Sequence, residues 1–362
     1  MRLRLLSRSG RRRLGLAAWE QHGDEHAGEQ QRAGHGKRQE HECRPIATET
    51  GHSAQAYGLD SNVVTVPVID LSAARARVVE EVGRACREIG FLAVVGHGVP
   101  EEVVAETAAA GHAFFDLPET EKRAFAEGEP TLGLPAYRPL RSERLAASLG
   151  KATPADLKES LDWGPAVPGY GWPERPPELR RVLQEYYEAI SGLGERLRRL
   201  FALALDLPED WFEDKFRDHS SSIRVVNYPA PEGETEPGQL RAGAHTDYGC
   251  MTILRTENAA GGLQVQTRAG EWLDVHAVPG SFVVNLGDMM ARWTNDQWAA
   301  TLHRVAVPPA DLRAGSRRQT IVFFHDPRAD AVIECIPGCG TSRYEPVTAL
   351  EHVNAKAAAT HG

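Results

Sequence analysis

Three things are scarce in this 362-residue chain, and each narrows what it can be. No apolar run approaches the 18 or more residues of a membrane-crossing helix, so no membrane partner is expected. Basic residues are in deficit: 41 Lys and Arg stand against 50 Asp and Glu, a net charge of −9. That balance argues against a surface built to hold nucleic acid. Cysteines number five (Cys43, Cys86, Cys250, Cys335, Cys339), scattered and odd in count. They fit free thiols in a reducing cytoplasm better than a disulfide framework. Cys335 and Cys339 form a Cys-x3-Cys without partner ligands for zinc and read as loop residues. The remainder, 41% hydrophobic and 25% charged, is ordinary for a soluble globular protein, for which a monomer is the expectation.

Composition divides the chain. Residues 1–60 carry 10 basic and 8 acidic residues and five of the 14 histidines. Too polar to bury a core, they are expected to form a disordered N-terminal extension. Arg11-Arg12-Arg13 is followed by too short an apolar stretch for a twin-arginine signal. Residues 61–177 read as an N-terminal region with active-site loops. A strand is expected over Val64–Leu71, a helix over Ala73–Ile89, a buried strand over Phe91–Val95 and a helix over Glu101–Phe115. The Gly- and Pro-rich stretch Pro130–Pro177 reads as mostly loop. Residues 178–216 hold a long spine helix, Glu178–Leu205, whose Leu179, Val182, Leu183, Tyr186, Ile190, Leu193 and Leu197 repeat near every 3.6 residues. Residues 217–327 show short strands with glycine turns, and 328–362 form a C-terminal segment ending in a helix. Many short strands preceded by helices describe a mixed α+β chain with a double-stranded β-helix (jelly-roll) core and a helical N-terminal layer.

The chemistry concentrates between Arg241 and Pro327. In a strand, residues i and i+2 share a face, so His245 and Asp247 reach the same point. On its own the pattern is weak, since about two His-x-Asp/Glu matches arise by chance in such a composition, and His22-Gly23-Asp24 is another. The ordered set is stronger. His303 lies 58 residues after His245, and Arg318 follows 15 later, just before the apolar run Ile321-Val-Phe-Phe324. Two imidazoles and one carboxylate make a facial triad that leaves open positions on non-haem Fe(II). An arginine entering a sheet interior needs an anion, and its planar fork matches a carboxylate. Thr320, two residues on, presents its hydroxyl to the same side.

The pattern His-x-Asp, distant His and Arg-x-Thr resembles the isopenicillin N synthase-like family of 2-oxoglutarate- and Fe(II)-dependent dioxygenases. Asn227-Tyr228-Pro229, Gly261-Gly-Leu-Gln-Val265, Trp272-Leu-Asp-Val275, Asn285-Leu-Gly-Asp288 and Val66-Pro-Val-Ile-Asp-Leu71 extend the resemblance over roughly residues 62–350. It implies that His245, Asp247 and His303 bind iron, that Arg318 and Thr320 hold the distal carboxylate of 2-oxoglutarate, and that Tyr228 touches the same co-substrate. Threonine at 320 replaces the family's more frequent serine and keeps the hydroxyl. The implied reaction consumes O2, turns 2-oxoglutarate into succinate and CO2, and oxidises a small organic substrate by hydroxylation, desaturation or cyclisation. Two alternatives remain at this level: an Fe(II) oxidase on the same scaffold that uses no 2-oxoglutarate, and a non-catalytic barrel. Tyr137, Lys158–Trp163 and Arg224 are further candidates for substrate contact, while His97 and Asp288 read as turn residues.

Overall fold

Alternation along the strands decides which side chains look into the barrel and which pack under the helices. The computed structural model describes residues 66–125, 137–165 and 172–361. The expected extension 1–60, the start of the expected first strand, and residues 126–136 and 166–171 of the expected loop region lie outside the described residues.

In chain order the elements are β1 (Val68–Asp70), α1 (Arg75–Glu88), β2 (Phe91–Val95), α2 (Glu101–Phe115), α3 (Glu119–Arg123), β3 (Tyr137–Arg138), β4 (Glu159–Trp163), α4 (Leu179–Ala204) and α5 (Glu213–Phe216). There follow β5 (Ser222–Tyr228), β6 (Ala242–His245), β7 (Met251–Thr256), β8 (Leu263–Gln266), β9 (Trp272–Asp274), β10 (Phe282–Leu286) and α6 (Asp288–Trp293). The chain ends with β11 (His303–Val305), β12 (Arg318–His325), β13 (Val332–Ile333), β14 (Val347–Thr348) and α7 (Ala349–His361). A major sheet runs β1-β2-β10-β7-β12-β5-β4-β3, and a minor sheet runs β6-β11-β8-β9. Only β1 and β2 pair in parallel within these two sheets; the other neighbours are antiparallel.

One face of the major sheet carries the largest core. Ile223 and Val225 of β5, Ile253 of β7 and Ile321 and Phe323 of β12 pack there against Val78 and Val82 of α1, Phe114 of α2 and Tyr186, Ile190 and Leu197 of α4. Spacings of three and four put those α4 residues on one stripe, so the helix runs along the outside of the barrel as a spine. The opposite residues look into the barrel. Val226 and Tyr228 meet Ala242 of β6 and Val305 of β11, while Leu254 and Val283 meet Leu263 and Val265 of β8. This closes the jelly roll.

Two glycines are required by contact. Gly90 ends α1 at φ +67°, and a Cβ there would lie 1.9 Å from the Ala299 carbonyl oxygen. Gly249 lets the chain turn past Asp326, whose Oδ1 would be 2.1 Å from an added Cβ.

One expectation is refined and one needs correction. The stretch read as mostly loop contains β3 and β4, which extend the major sheet from β5. Their polar residues are balanced by distant partners: Lys122 Nζ and Tyr137 Oη donate to Glu159 Oε2 at 2.7 and 2.6 Å, and Asn227 Nδ2 donates to Glu159 Oε1 at 2.8 Å. Asp288 does not sit in a simple turn but opens the helix α6.

Candidate active site

The two histidines meet across the minor sheet. His245 at the end of β6 is the register partner of His303 in β11, and their rings are 4.3 Å apart between centroids. Asp247 follows β6 by two residues, and its Oδ1 is 3.7 Å from Nε2 of each imidazole. That is too long for a hydrogen bond. It suits ligands that each stand about 2 Å from one ion. One donor atom from each residue falls within 4.8 Å of the others.

Each donor is aimed by its other polar atom. His245 Nδ1 lies 2.7 Å from the Gly243 carbonyl oxygen, and His303 Nδ1 lies 3.1 Å from that of Thr301. A carbonyl only accepts, so Nδ1 carries the proton on both rings and Nε2 keeps its lone pair. Asp247 Oδ2 accepts from Thr252 Oγ1 at 2.6 Å and Asn285 Nδ2 at 2.7 Å, leaving Oδ1 for an ion. Burial pushes the Asp247 carboxyl up, but the two imidazoles and these two hydrogen bonds outweigh it and hold it below its ordinary value. Burial and then His303 push His245 down, so it stays neutral at physiological pH. Two imidazoles and one carboxylate, aimed by hydrogen bonds, fit a non-haem Fe(II) ion.

Arg318 enters from the major sheet. Its register places Tyr228 directly opposite, and Thr320 of β12 stands opposite Thr256 of β7. The Arg318 side chain is buried, donates through Nη2 to Thr256 Oγ1, and reaches the Gly261 carbonyl oxygen at 3.4 Å. Its Nε finds no acceptor, and among the described residues no carboxylate pairs with it. Burial lowers its pKa despite the help of Tyr228 and Glu257. Thr320 Oγ1 is 3.0 Å from Thr256 Oγ1, and the Arg318 guanidinium sits 5.6 Å from the Tyr228 ring centroid. A buried guanidinium without an anion is an incomplete pair, which a carboxylate would complete.

The other sequence candidates separate by face. Tyr137 is wholly buried, bonded to Glu159 and packed edge-on against Phe114, so it belongs to the helix-side core and not to the pocket. Trp163 turns the same way, toward Trp172 and Tyr187. Arg224, in step with Val226 and Tyr228, faces the barrel interior. His97 bonds locally to the Val99 N–H and also lies 2.9 Å from the Gly280 carbonyl oxygen. Asn285, Thr252 and Thr256 went unnoticed in the sequence. Strand alternation in β7 and β10 was the signal for them, because Thr252 and Asn285 are register partners.

Comparison with known proteins places the chain. The N-terminal region of non-haem dioxygenases, described for morphine synthesis, matches residues 66–184, and the 2OG-Fe(II) oxygenase superfamily matches residues 220–327. The 2-oxoglutarate-Fe(II) type oxidoreductase hxnY of Emericella nidulans is 32% identical over 316 residues, covering 79% of this chain and 88% of the relative. The chain belongs to the 2OG-Fe(II) oxygenase superfamily. A homoarginine-6-hydroxylase of Arabidopsis thaliana is 32% identical over 281 residues, covering 73% of this chain and 81% of that protein. Among solved structures, JOX2 in complex with 2OG, Fe and JA superposes with a TM-score of 0.68 at 27% identity, over 80% of this chain and 84% of that one. The protein is therefore a double-stranded β-helix oxygenase that takes Fe(II) and 2-oxoglutarate. The oxidase without 2-oxoglutarate and the non-catalytic barrel are set aside.

Proposed function

We propose that His245, Asp247 and His303 hold the Fe(II), that Arg318 and Thr320 bind the distal carboxylate of 2-oxoglutarate with Tyr228 alongside, and that a small organic substrate is oxidised at a C–H bond beside them. The observation carrying this reading is the pairing of two incomplete sites in one barrel. Three donors converge with their spare atoms already engaged, and a buried guanidinium nearby has no anion of its own.

Iron with 2-oxoglutarate supplies the oxidising power, O2 being consumed as the keto acid becomes succinate and CO2. The chain supplies position and protection. Thr252 and Asn285 fix the Asp247 carboxylate, so one oxygen faces the ion throughout. Gly243 and Thr301 fix the imidazole tautomers. Arg318, backed by Thr256, holds the far end of the co-substrate, which sets the direction from which its keto acid end approaches the metal. Phe91, Leu254 and Val283 line the interior with apolar surface and limit water. Hydroxylation is the favoured outcome, in keeping with the hydroxylase among the relatives, and a cytoplasmic, monomeric enzyme of specialised metabolism is the setting proposed.

The test is succinate release. Purified protein with Fe(II), ascorbate, O2, 2-oxoglutarate and a panel of small organic substrates should form succinate, and His245→Ala should lose both bound iron and succinate. Wild-type protein that binds iron yet forms no succinate sinks the reading.

A further inference from the structure

The barrel end nearest the metal carries a set of charges that the iron and 2-oxoglutarate sites do not use. Register locates it. Arg224 of β5 stands opposite Val322 and one inward step from Phe324, whose own partner is Thr252, the residue that holds Asp247. The Arg224 guanidinium lies 5.6 Å from the Phe324 ring centroid. Across β4, Asp162 is the partner of Arg224, and Arg138 of β3 is the partner of Ser160, so all three side chains belong to the inward face.

The contacts form one network. Arg224 Nε and Nη2 donate to Asp162 Oδ1 and Oδ2 at 2.5 and 3.0 Å, and Arg138 Nε donates to Asp162 Oδ2 at 2.9 Å. Arg138 Nη1 stands 3.3 Å from Glu143 Oε1, and Lys158 Nζ stands 2.8 Å from Glu143 Oε2. Arg224 and Asp162 side chains are 16% and 10% exposed, so the charges are largely withdrawn from bulk water but not sealed.

Counting donors and acceptors decides what the network accepts. Arg138, Arg224 and Lys158 pair with Asp162 and Glu143, and with Asp156 and Asp247 also acting on them the charges leave no cationic surplus, so what matters is which donors are left over. Both carboxylates are satisfied, Asp162 by three N–H donors and Glu143 by cations on each oxygen. The guanidinium groups are not, since each has five donors. Arg224 Nη1 is 3.9 Å from Glu143 Oε1, beyond hydrogen-bond reach, and makes no hydrogen bond among the described residues. Two further carboxylates are near and are engaged elsewhere: the oxygens of Asp156 accept the backbone N–H groups of Leu145 and Gly243 at 2.9 Å each, and Asp247 Oδ2 is held by Thr252 and Asn285. An incoming cation would have to break an existing pair, whereas an incoming anion meets free donors.

We infer that the primary substrate carries a carboxylate, received by the spare donors of Arg224 and Arg138, with its apolar body against Phe324. This rests on the site reading above. It makes Arg224 and Asp162 specificity determinants: Asp162 fixes the guanidinium planes and Arg224 offers the fork.

The test uses matched probes on wild-type enzyme loaded with Fe(II) and 2-oxoglutarate without oxygen. Binding of benzoate, benzamide and benzylamine, and of hexanoate, hexanamide and hexylamine, is measured by calorimetry. Each acid should bind at least about tenfold more tightly than its amide or amine. Arg224→Met should erase that preference while 2-oxoglutarate binding, measured in the same cell, shows that the barrel is intact. The wild-type comparison needs no variant to fold. An acid no better than its amide or amine in both series overturns the inference. If wild-type protein also forms no succinate in air, the underlying reading fails with it; if succinate forms, only the carboxylate assignment falls.

Discussion

Replacing Arg318 by methionine separates two roles that a buried arginine can play. If it waits for a dianion, the cost of losing it should appear only when 2-oxoglutarate is present. Truncating one partner of a buried charged pair costs about 2–5 kcal/mol. At about 1.4 kcal/mol per decade, the KM for 2-oxoglutarate should rise from about thirtyfold to several thousandfold. Without co-substrate the balance differs. The variant loses donors to Thr256 Oγ1 and the Gly261 carbonyl oxygen, each worth about 1 kcal/mol. It also no longer buries an unpaired cation, a relief of similar size or larger. The melting temperature of the co-substrate-free variant should therefore stay within about 4 °C of wild type, at about 2 °C per kcal/mol. Wild type at a hundredfold excess over Kd should gain about 2.7 kcal/mol from 2-oxoglutarate. At the same concentration the variant should gain at most about 0.9 kcal/mol, and close to none at the upper end of that KM range. Differential scanning calorimetry with and without 2-oxoglutarate, beside succinate kinetics, reads both quantities. An Arg318→Met protein that saturates at the wild-type co-substrate concentration refutes the assignment. One that melts far below wild type without co-substrate makes the arginine a structural strut instead.

Further expectations follow from the same contacts. Asp247→Ala removes the one anionic donor of the triad and should abolish turnover, with iron content after desalting as the check. Asn285→Ala leaves the Asp247 carboxylate held by Thr252 alone; metal affinity should fall about 10- to 100-fold in an Fe(II) titration, and unchanged affinity would show that the amide does not orient the ligand. His325 is buried, accepts from Arg198 Nε at 2.9 Å, and is pushed well below its ordinary value by burial and then by Arg198. Its folded pKa is depressed, so the unfolded chain takes the proton first. Stability should fall as pH drops below about 6.5, by up to about 1.4 kcal/mol per pH unit for this group. Asp326, raised to about 6 mainly by burial, has the opposite sign between pH 4 and 6, so denaturant titrations should compare His325→Gln with wild type between pH 7 and 6. An unchanged slope in that window would count against the histidine as the source.

What could be read without coordinates follows the range of the interaction. The stripe of α4 and the alternation of β5 are local patterns that the structure has; His245 and Asp247 do converge, but Asp247 lies past the end of β6, so strand alternation is not what brings them together. β3 and β4 were missed because their polar residues are balanced by residues far away in sequence. Glu159 rests on Lys122, Tyr137 and Asn227, and Asp162 on Arg138 and Arg224. A strand whose inward face is charged has no apolar period to announce it. α6 is six residues long, too short for a helical period to show. Alternation groups Arg224 with Tyr228 but does not say which face is inside; that needs the partners Ala242 and Val305, which come from the other sheet.

This division has a thermodynamic consequence. The metal donors lie on or beside the minor sheet, while Arg318, Thr320 and Tyr228 lie on the major sheet. Asp247 is one polar cross-link between them, beside the apolar contacts that close the barrel, since its second oxygen is held by Thr252 and Asn285 of β7 and β10. A ligand that spans iron and Arg318 therefore ties the two sheets to each other, and its binding energy adds to the closure of the barrel as well as to occupancy of a pocket. Iron and 2-oxoglutarate together should then stabilise the fold by more than the sum of each alone, because each orders a sheet edge that the other needs. Additive shifts in melting temperature would mean that the barrel is already closed before either arrives.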